Sequence, residues 1–166
     1  MAERRRRPKE IRALFLDVDG VLTDGRIYLD GRGREWKVFD TKDGYGIRKA
    51  AAAGVTVIWI SGRTSPATAS RARELGVAHC FQGVRDKRSR LEAVRRRLRI
   101  APDETAAIGD DEPDIPMFEA AGFSACPADA MPAAKKAADV VLKRPGGHGA
   151  VREFIERILA RNARAS

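Results

Sequence analysis

Hydrophobic positions in this chain fall in short, nearly continuous runs divided by polar turns. The runs at 11–16, 55–60, 77–81, 105–108, 123–126 and 140–142 are too short for helices and rich in Val, Ile, Leu, Phe and Ala. Runs of this kind predict strands covered on both faces, as in a parallel sheet. Between them the spacing predicts helices over 47–53, 66–75, 86–98, 115–121, 132–138 and 150–161. Gly54, Gly76 and Gly122 stand where three of these helices should stop. The last carries Val151, Phe154, Ile155 and Ile158 on one side, an amphipathic stripe. Strand and helix alternate throughout, which predicts an α/β fold with a doubly wound, Rossmann-like parallel sheet.

One stretch breaks the alternation. Residues 26–29 and 34–39 are β-rich and flank Asp30-Gly31-Arg32-Gly33, the pattern of a protruding β-hairpin. Ile27, Leu29, Trp36 and Val38 are expected to form its apolar face. A lone hairpin is marginal in water, so this one should lie on the body of the protein or pair with another subunit.

At 166 residues the chain is long enough for one core, expected over 10–162 behind a disordered basic tail at 1–9. No apolar run reaches the length of a membrane span, and the basic start is not followed by the apolar stretch of a secretory signal. Cys80 and Cys126 lack metal-like spacing, and a reduced, cytoplasmic protein is expected. The net charge is +9, and 24 of the 32 basic residues are Arg, which raises nucleic-acid binding as a function. The basic clusters, Arg4 to Arg7 and Arg95 to Arg99, carry no interleaved aromatics, so the stacking signature of single-strand binders is missing. The second cluster is read as a solvated helix face, and no nucleic-acid or membrane partner is expected.

The chemistry follows from where polar residues interrupt the apolar runs. Asp17 and Asp19 directly follow the first strand, Ser61 the second, and Asp110, Asp111 and Asp114 the fourth. Ligands in open α/β sheets bind outside the carboxyl ends of the strands, so these side chains should converge there. Lys87, opening the helix after the third strand, should reach the same place. Carboxylates without His or Cys suit Mg²⁺ rather than Zn²⁺. Ser61 and Lys87 then offer a donor and a positive charge to a phosphoryl group. One carboxylate can attack phosphorus, and a second, two residues on along an extended chain, can protonate the leaving alcohol.

Asp17-Val18-Asp19-Gly20-Val21, Ser61, Lys87 and Gly109-Asp110-Asp111-x-x-Asp114 resemble, in order and spacing, the four motifs of the haloacid dehalogenase superfamily of phosphohydrolases. The likeness spans about residues 10–155. Its finer pattern includes Gly20 to Gly25, Asp43-Gly44, Ser61-Gly62-Arg63, Gln82-Gly83 and Gly146-Gly147-x-Gly149-Ala150-x-Arg152-Glu153. In these features it is similar to the capless subgroup that hydrolyses 3-deoxy-D-manno-octulosonate 8-phosphate (KDO 8-phosphate), a lipopolysaccharide precursor. The resemblance implies Asp17 as nucleophile and Asp19 as general acid and base. It implies Mg²⁺ held by Asp17, Asp19 (through its carbonyl) and Asp110, with Asp111 and Asp114 supporting the metal waters and Lys87. Ser61 and Lys87 would hold the phosphoryl group and Arg63 the carboxylate of a sugar acid. It further implies a homotetramer in which hairpin 26–39 covers the neighbouring site. A sister branch acting on nonulosonate 9-phosphates tends to carry Glu where Arg63 stands. Glu112-Pro113 and Ile115 to Phe118 depart from the subgroup pattern. The rival classes are a non-catalytic phospho-receiver, for which Asp19 and the Ser-Gly-Arg turn have no use, and the basic nucleic-acid binder considered above.

Overall fold

The structure, a computed structural model, describes residues 9–165. The basic segment expected as a tail lies, apart from Lys9, outside the described residues. Six strands form one parallel sheet: β1 (Ala13–Leu16), β4 (Thr56–Ile60), β5 (His79–Phe81), β6 (Thr105–Ile108), β7 (Phe123–Cys126) and β8 (Val140–Val141). Their spatial order is β5-β4-β1-β6-β7-β8. The chain therefore builds outward from β1 on one side, then crosses over and builds outward on the other. The crossover makes the carboxyl end of β1 the switch point, where an open sheet leaves a crevice.

Alternation along the buried strands divides the core into two layers. Leu14, Leu16, Val57, Trp59 and Ile108 face α1 (Thr41–Ala52), α2 (Pro66–Leu75) and α6 (Ala150–Ala165). Ala13, Phe15, Ile58, Ile60 and Ala107 face α3 (Lys87–Arg97), α4 (Ile115–Ala120) and α5 (Pro132–Ala137). The interior side chains of β1 and β4 are fully buried, each worth about 1.5–3 kcal/mol when it is a large aliphatic or aromatic group. The Arg-rich face of α3 is a solvated one, where Arg88 and Arg96 pair with Glu92.

Two expectations need correcting. The first strand starts at Ala13 rather than residue 11, because Asn162 of α6 takes both backbone groups of Ile11. The helix expected over 47–53 starts at Thr41, with Asp40 accepting from the Lys42 N–H as its cap. Gly44 and Gly46 lie inside its first turns, where they serve packing. A Cβ at Gly46 would lie 3.2 Å from the Cα of Arg152 in α6, and one at Gly44 would overlap Arg71 in α2.

The hairpin forms where the sequence predicts it. It pairs only over β2 (Tyr28–Leu29) and β3 (Glu35–Trp36). Its apolar face points outward: Ile27, Leu29, Trp36 and Val38 are each more than half exposed. Between β1 and β4 the chain inserts only this hairpin and α1, which leaves no room for a cap domain.

Candidate active site

Four loops meet at the carboxyl edge of the sheet, and each is shaped by its own sequence. After β1 the chain coils around the Val18 carbonyl, which accepts from the N–H groups of Val21, Leu22 and Thr23. Thr23 Oγ1 accepts from Gly20 and Gly25, closing the loop. Gly20 has φ +86°, and a Cβ there would sit 2.1 Å from a carboxylate oxygen of Asp110. Only glycine gives both that backbone and that approach.

The loop after β5 braces the turn after β4. Gln82 accepts from the Ser65 N–H through its side chain, and Val84 donates to the Ser61 carbonyl. Gly83, with φ +66°, then turns the chain into α3 and sets Lys87 at its first position. After β6, Asp114 reaches back to accept from the N–H groups of Asp110 and Asp111. A Cβ on Gly109 would overlap the Asp114 side chain. Behind these loops, Gly146 packs on the Gly20 carbonyl and Gly147 donates to the Val21 carbonyl.

The result is a buried cluster of charge. Lys87 Nζ donates to Asp17 Oδ1 at 2.7 Å and to Asp114 Oδ1 at 2.6 Å. One carboxylate oxygen from each of Asp17, Asp110 and Asp114 lies within 4.8 Å of the others. Burial drives the Asp17 carboxyl well above its usual range, and Asp114 adds to the effect while Lys87 opposes it. Asp110 is pushed up to about 7 by burial and by Asp114. For Lys87, burial pulls its value down, but Asp17 and Asp114 outweigh that and raise it. The one ammonium bonds two of the three carboxylates, Asp17 and Asp114, and leaves Asp110 without a cation in contact among the described residues. An all-oxygen donor set of this kind fits a hard divalent cation such as Mg²⁺.

The structure brings Asp17, Asp110, Asp114 and Lys87 together, with Asp19 and Ser61 alongside. Ser61 Oγ lies 3.4 Å from Asp19 Oδ2. Asp111 does not join them; its carboxylate caps the short turn that follows, accepting from the Glu112 N–H. Arg63 sits at the rim, where its guanidinium binds Glu35 of the hairpin and its value is raised by that bond. Asp24 likewise turns to the hairpin, accepting from Tyr28 Oη, which lowers its carboxyl.

Sequence reasoning missed Lys37, whose ammonium contacts Asp19 Oδ1. The signal was the alternation in β3 and beyond. Glu35, Lys37 and Phe39 are half-buried, whereas Trp36 and Val38 are exposed. The charged edge faces inward. It also missed Asp43, a buried carboxylate in α1 that accepts from the Arg152 and Gly149 N–H groups and so caps α6.

Comparison with known proteins agrees with this geometry. Residues 80–155 match the pattern of the haloacid dehalogenase-like hydrolases. The 3-deoxy-D-manno-octulosonate 8-phosphate phosphatase of Escherichia coli is 42% identical over 151 residues, covering 91% of this chain and 80% of that one. The crystal structure of the same phosphatase from Yersinia pestis superposes with a TM-score of 0.91 at 39% identity, covering 96% of this chain and 86% of that one. The Moraxella catarrhalis phosphatase, solved with a magnesium ion, a phosphate ion and KDO, gives a TM-score of 0.91 at 35% identity over 95% of this chain and 91% of that one. A crevice with this donor set, on this sheet and at this level of identity, places the chain: it belongs to the haloacid dehalogenase-like hydrolases, in the 3-deoxy-D-manno-octulosonate 8-phosphate phosphatase family.

Proposed function

We propose that this chain is a Mg²⁺-dependent phosphomonoesterase that hydrolyses KDO 8-phosphate to KDO and phosphate. The observation that carries the reading is the meeting of Asp17, Asp110 and Asp114 around Lys87 at the sheet's switch point. Asp17 Oδ1 is occupied by Lys87, which leaves the second oxygen to attack phosphorus in line with the departing alcohol. Asp19 gives its proton to the leaving oxygen as the ester P–O bond breaks. It then takes a proton from water, whose oxygen attacks phosphorus and releases phosphate from Asp17. Ser61 and Lys87 hold the non-bridging oxygens. Asp17, Asp110 and the Asp19 carbonyl would hold the Mg²⁺, with Asp114 beside them. When bound, it supplies the positive charge that lets an anionic nucleophile approach an anionic ester.

Arg63 is the proposed partner of the sugar-acid carboxylate, with the bidentate geometry that guanidinium offers. An Arg at this place favours the eight-carbon acid over the nonulosonate phosphates. The outward apolar face of the hairpin supports a homotetramer of this cytoplasmic enzyme, the tip of one hairpin covering a neighbouring site. The folded unit is taken as residues 10–162.

The test is phosphate release from a panel of sugar-acid phosphates, hexose phosphates and nucleotides, with and without Mg²⁺ and with Asp17→Asn as control. The eight-carbon keto acid is expected to lead. A hexose phosphate or nucleotide ahead of every keto acid would remove the substrate assignment. Absence of Mg²⁺-dependent release from all of them would remove the reaction.

A further inference from the structure

Lys37 belongs to the hairpin, outside the main sheet, yet its side chain is only 3% exposed. Its ammonium contacts Asp19 Oδ1 and lies 3.4 Å from Glu35 Oε1. Glu35 in turn accepts from Arg63, and that bond is the main cause that holds its carboxyl below the usual range. A lysine on a surface arm ordinarily carries its head into water. Dehydrating the ammonium costs several kcal/mol and is sustained only by close partners. Trp36 and Val38, which flank it in sequence, are more than half exposed.

Asp19 is thereby gripped at both oxygens. Lys37 holds Oδ1, and Ser61 Oγ stands 3.4 Å from Oδ2. A free Asp side chain samples several rotamers. With an ammonium on one oxygen and a hydroxyl near the other, one orientation is selected. We propose that Lys37 is a positioning residue for Asp19, contributed to the active site by the hairpin of the same chain. The inference rests on the reading of Asp19 as the proton carrier.

The leaving group gives the test. An alkoxide needs a proton as the ester bond breaks, whereas p-nitrophenolate leaves without one. Misplacing a catalytic group by about 1 Å can cost about 10²-fold in rate. Lys37→Met keeps the stem and removes the charge. With Mg²⁺ present, kcat/KM on KDO 8-phosphate, which reports the steps through loss of the alcohol, should fall about 10²-fold. On p-nitrophenyl phosphate, whose leaving group needs no proton, kcat/KM should fall less than about fivefold; kcat also contains the water attack that Asp19 assists for both esters and is not the readout. Lys37→Arg, which keeps the charge but moves it, should lose about tenfold on the sugar ester alone. It carries the test if Lys37→Met melts below assay temperature. Equal losses of kcat/KM on both esters would overturn the inference and leave the phosphatase reading intact. A wild-type chain that hydrolyses neither ester would overturn both.

Discussion

The edge of the sheet and the hairpin deliver charge to one crevice by opposite means. At the sheet edge, Asp17, Asp110 and Asp114 stand on loops that leave fully buried strands, Lys87 opens α3 after the half-buried β5, and glycines let the loops press together. The hairpin has two short paired segments and no core of its own. It turns its charged edge inward, Glu35 to Arg63 and Lys37 to Asp19, and leaves its apolar edge to solvent. The sheet edge is held by burial and the hairpin by ion pairs. The clustered carboxylates and Lys87 stand on the first, and the second adds Lys37 against Asp19 and Glu35 against Arg63.

The sharpest way to break the comparison is at Gly20. Gly20→Ala drives a methyl into the Asp110 carboxylate at a positive φ. Mg²⁺-dependent phosphate release should drop by at least about 10²-fold, with the far-ultraviolet circular dichroism unchanged. Wild-type turnover in this variant would show that the loops have slack. Next comes Lys87→Met, which strands Asp17 and Asp114 in the interior. Urea unfolding in chelator should show a loss of about 3–5 kcal/mol, the cost of breaking a buried pair. A loss near zero would mean that the edge does not depend on its ammonium.

Asp43 sharpens the comparison through pH. Burial pushes its carboxyl up to about 6, against the Arg152 and Gly149 N–H groups, which favour the charged form. A folded value above the unfolded one, about 3.9, makes the protonated form the stabilising one. That contribution is complete below about pH 4 and is lost as pH rises through about 6. Asp43→Asn should remove this slope from the stability curve, a difference on the order of 2–3 kcal/mol across the window. An identical slope in the variant would assign it to other groups. The smallest effect is expected at the hairpin's outer edge. Trp36→Ser should change the stability of the monomer by less than about 0.5 kcal/mol while weakening the proposed assembly, as measured by light scattering. Unaltered association would remove the hairpin's outer face from the interface.

The sheet was legible because β1, β4 and β6 are nearly unbroken apolar runs whose ends are marked by Asp, Ser or Gly. The same punctuation exposed Asp17, Asp19, Ser61 and Asp110. The start of α1 was not legible, since Gly44 and Gly46 look like breakers until Arg71 and Arg152 are seen against them. The hairpin was legible as a hairpin but not in its orientation. Apolar alternation normally points to the body of a protein, and here the body offers Asp19 and Arg63 instead. Lys37 was hidden for the same reason. Asp111 looked equivalent to Asp114, and only the backbone turn decides which of them reaches Lys87.

The contacts of Gly146 and Gly147 with the loop after β1 have a bearing on biosynthesis. The nucleophile's loop is made among the earliest residues and is braced by residues translated more than a hundred positions later. Asn162, later still, fastens the backbone just ahead of β1. The nucleophile's loop of a nascent chain is therefore expected to lack its native braces until residues 146–162 emerge and α6 docks. Catalytic competence would then arrive as one of the last events of folding, well after the sheet itself.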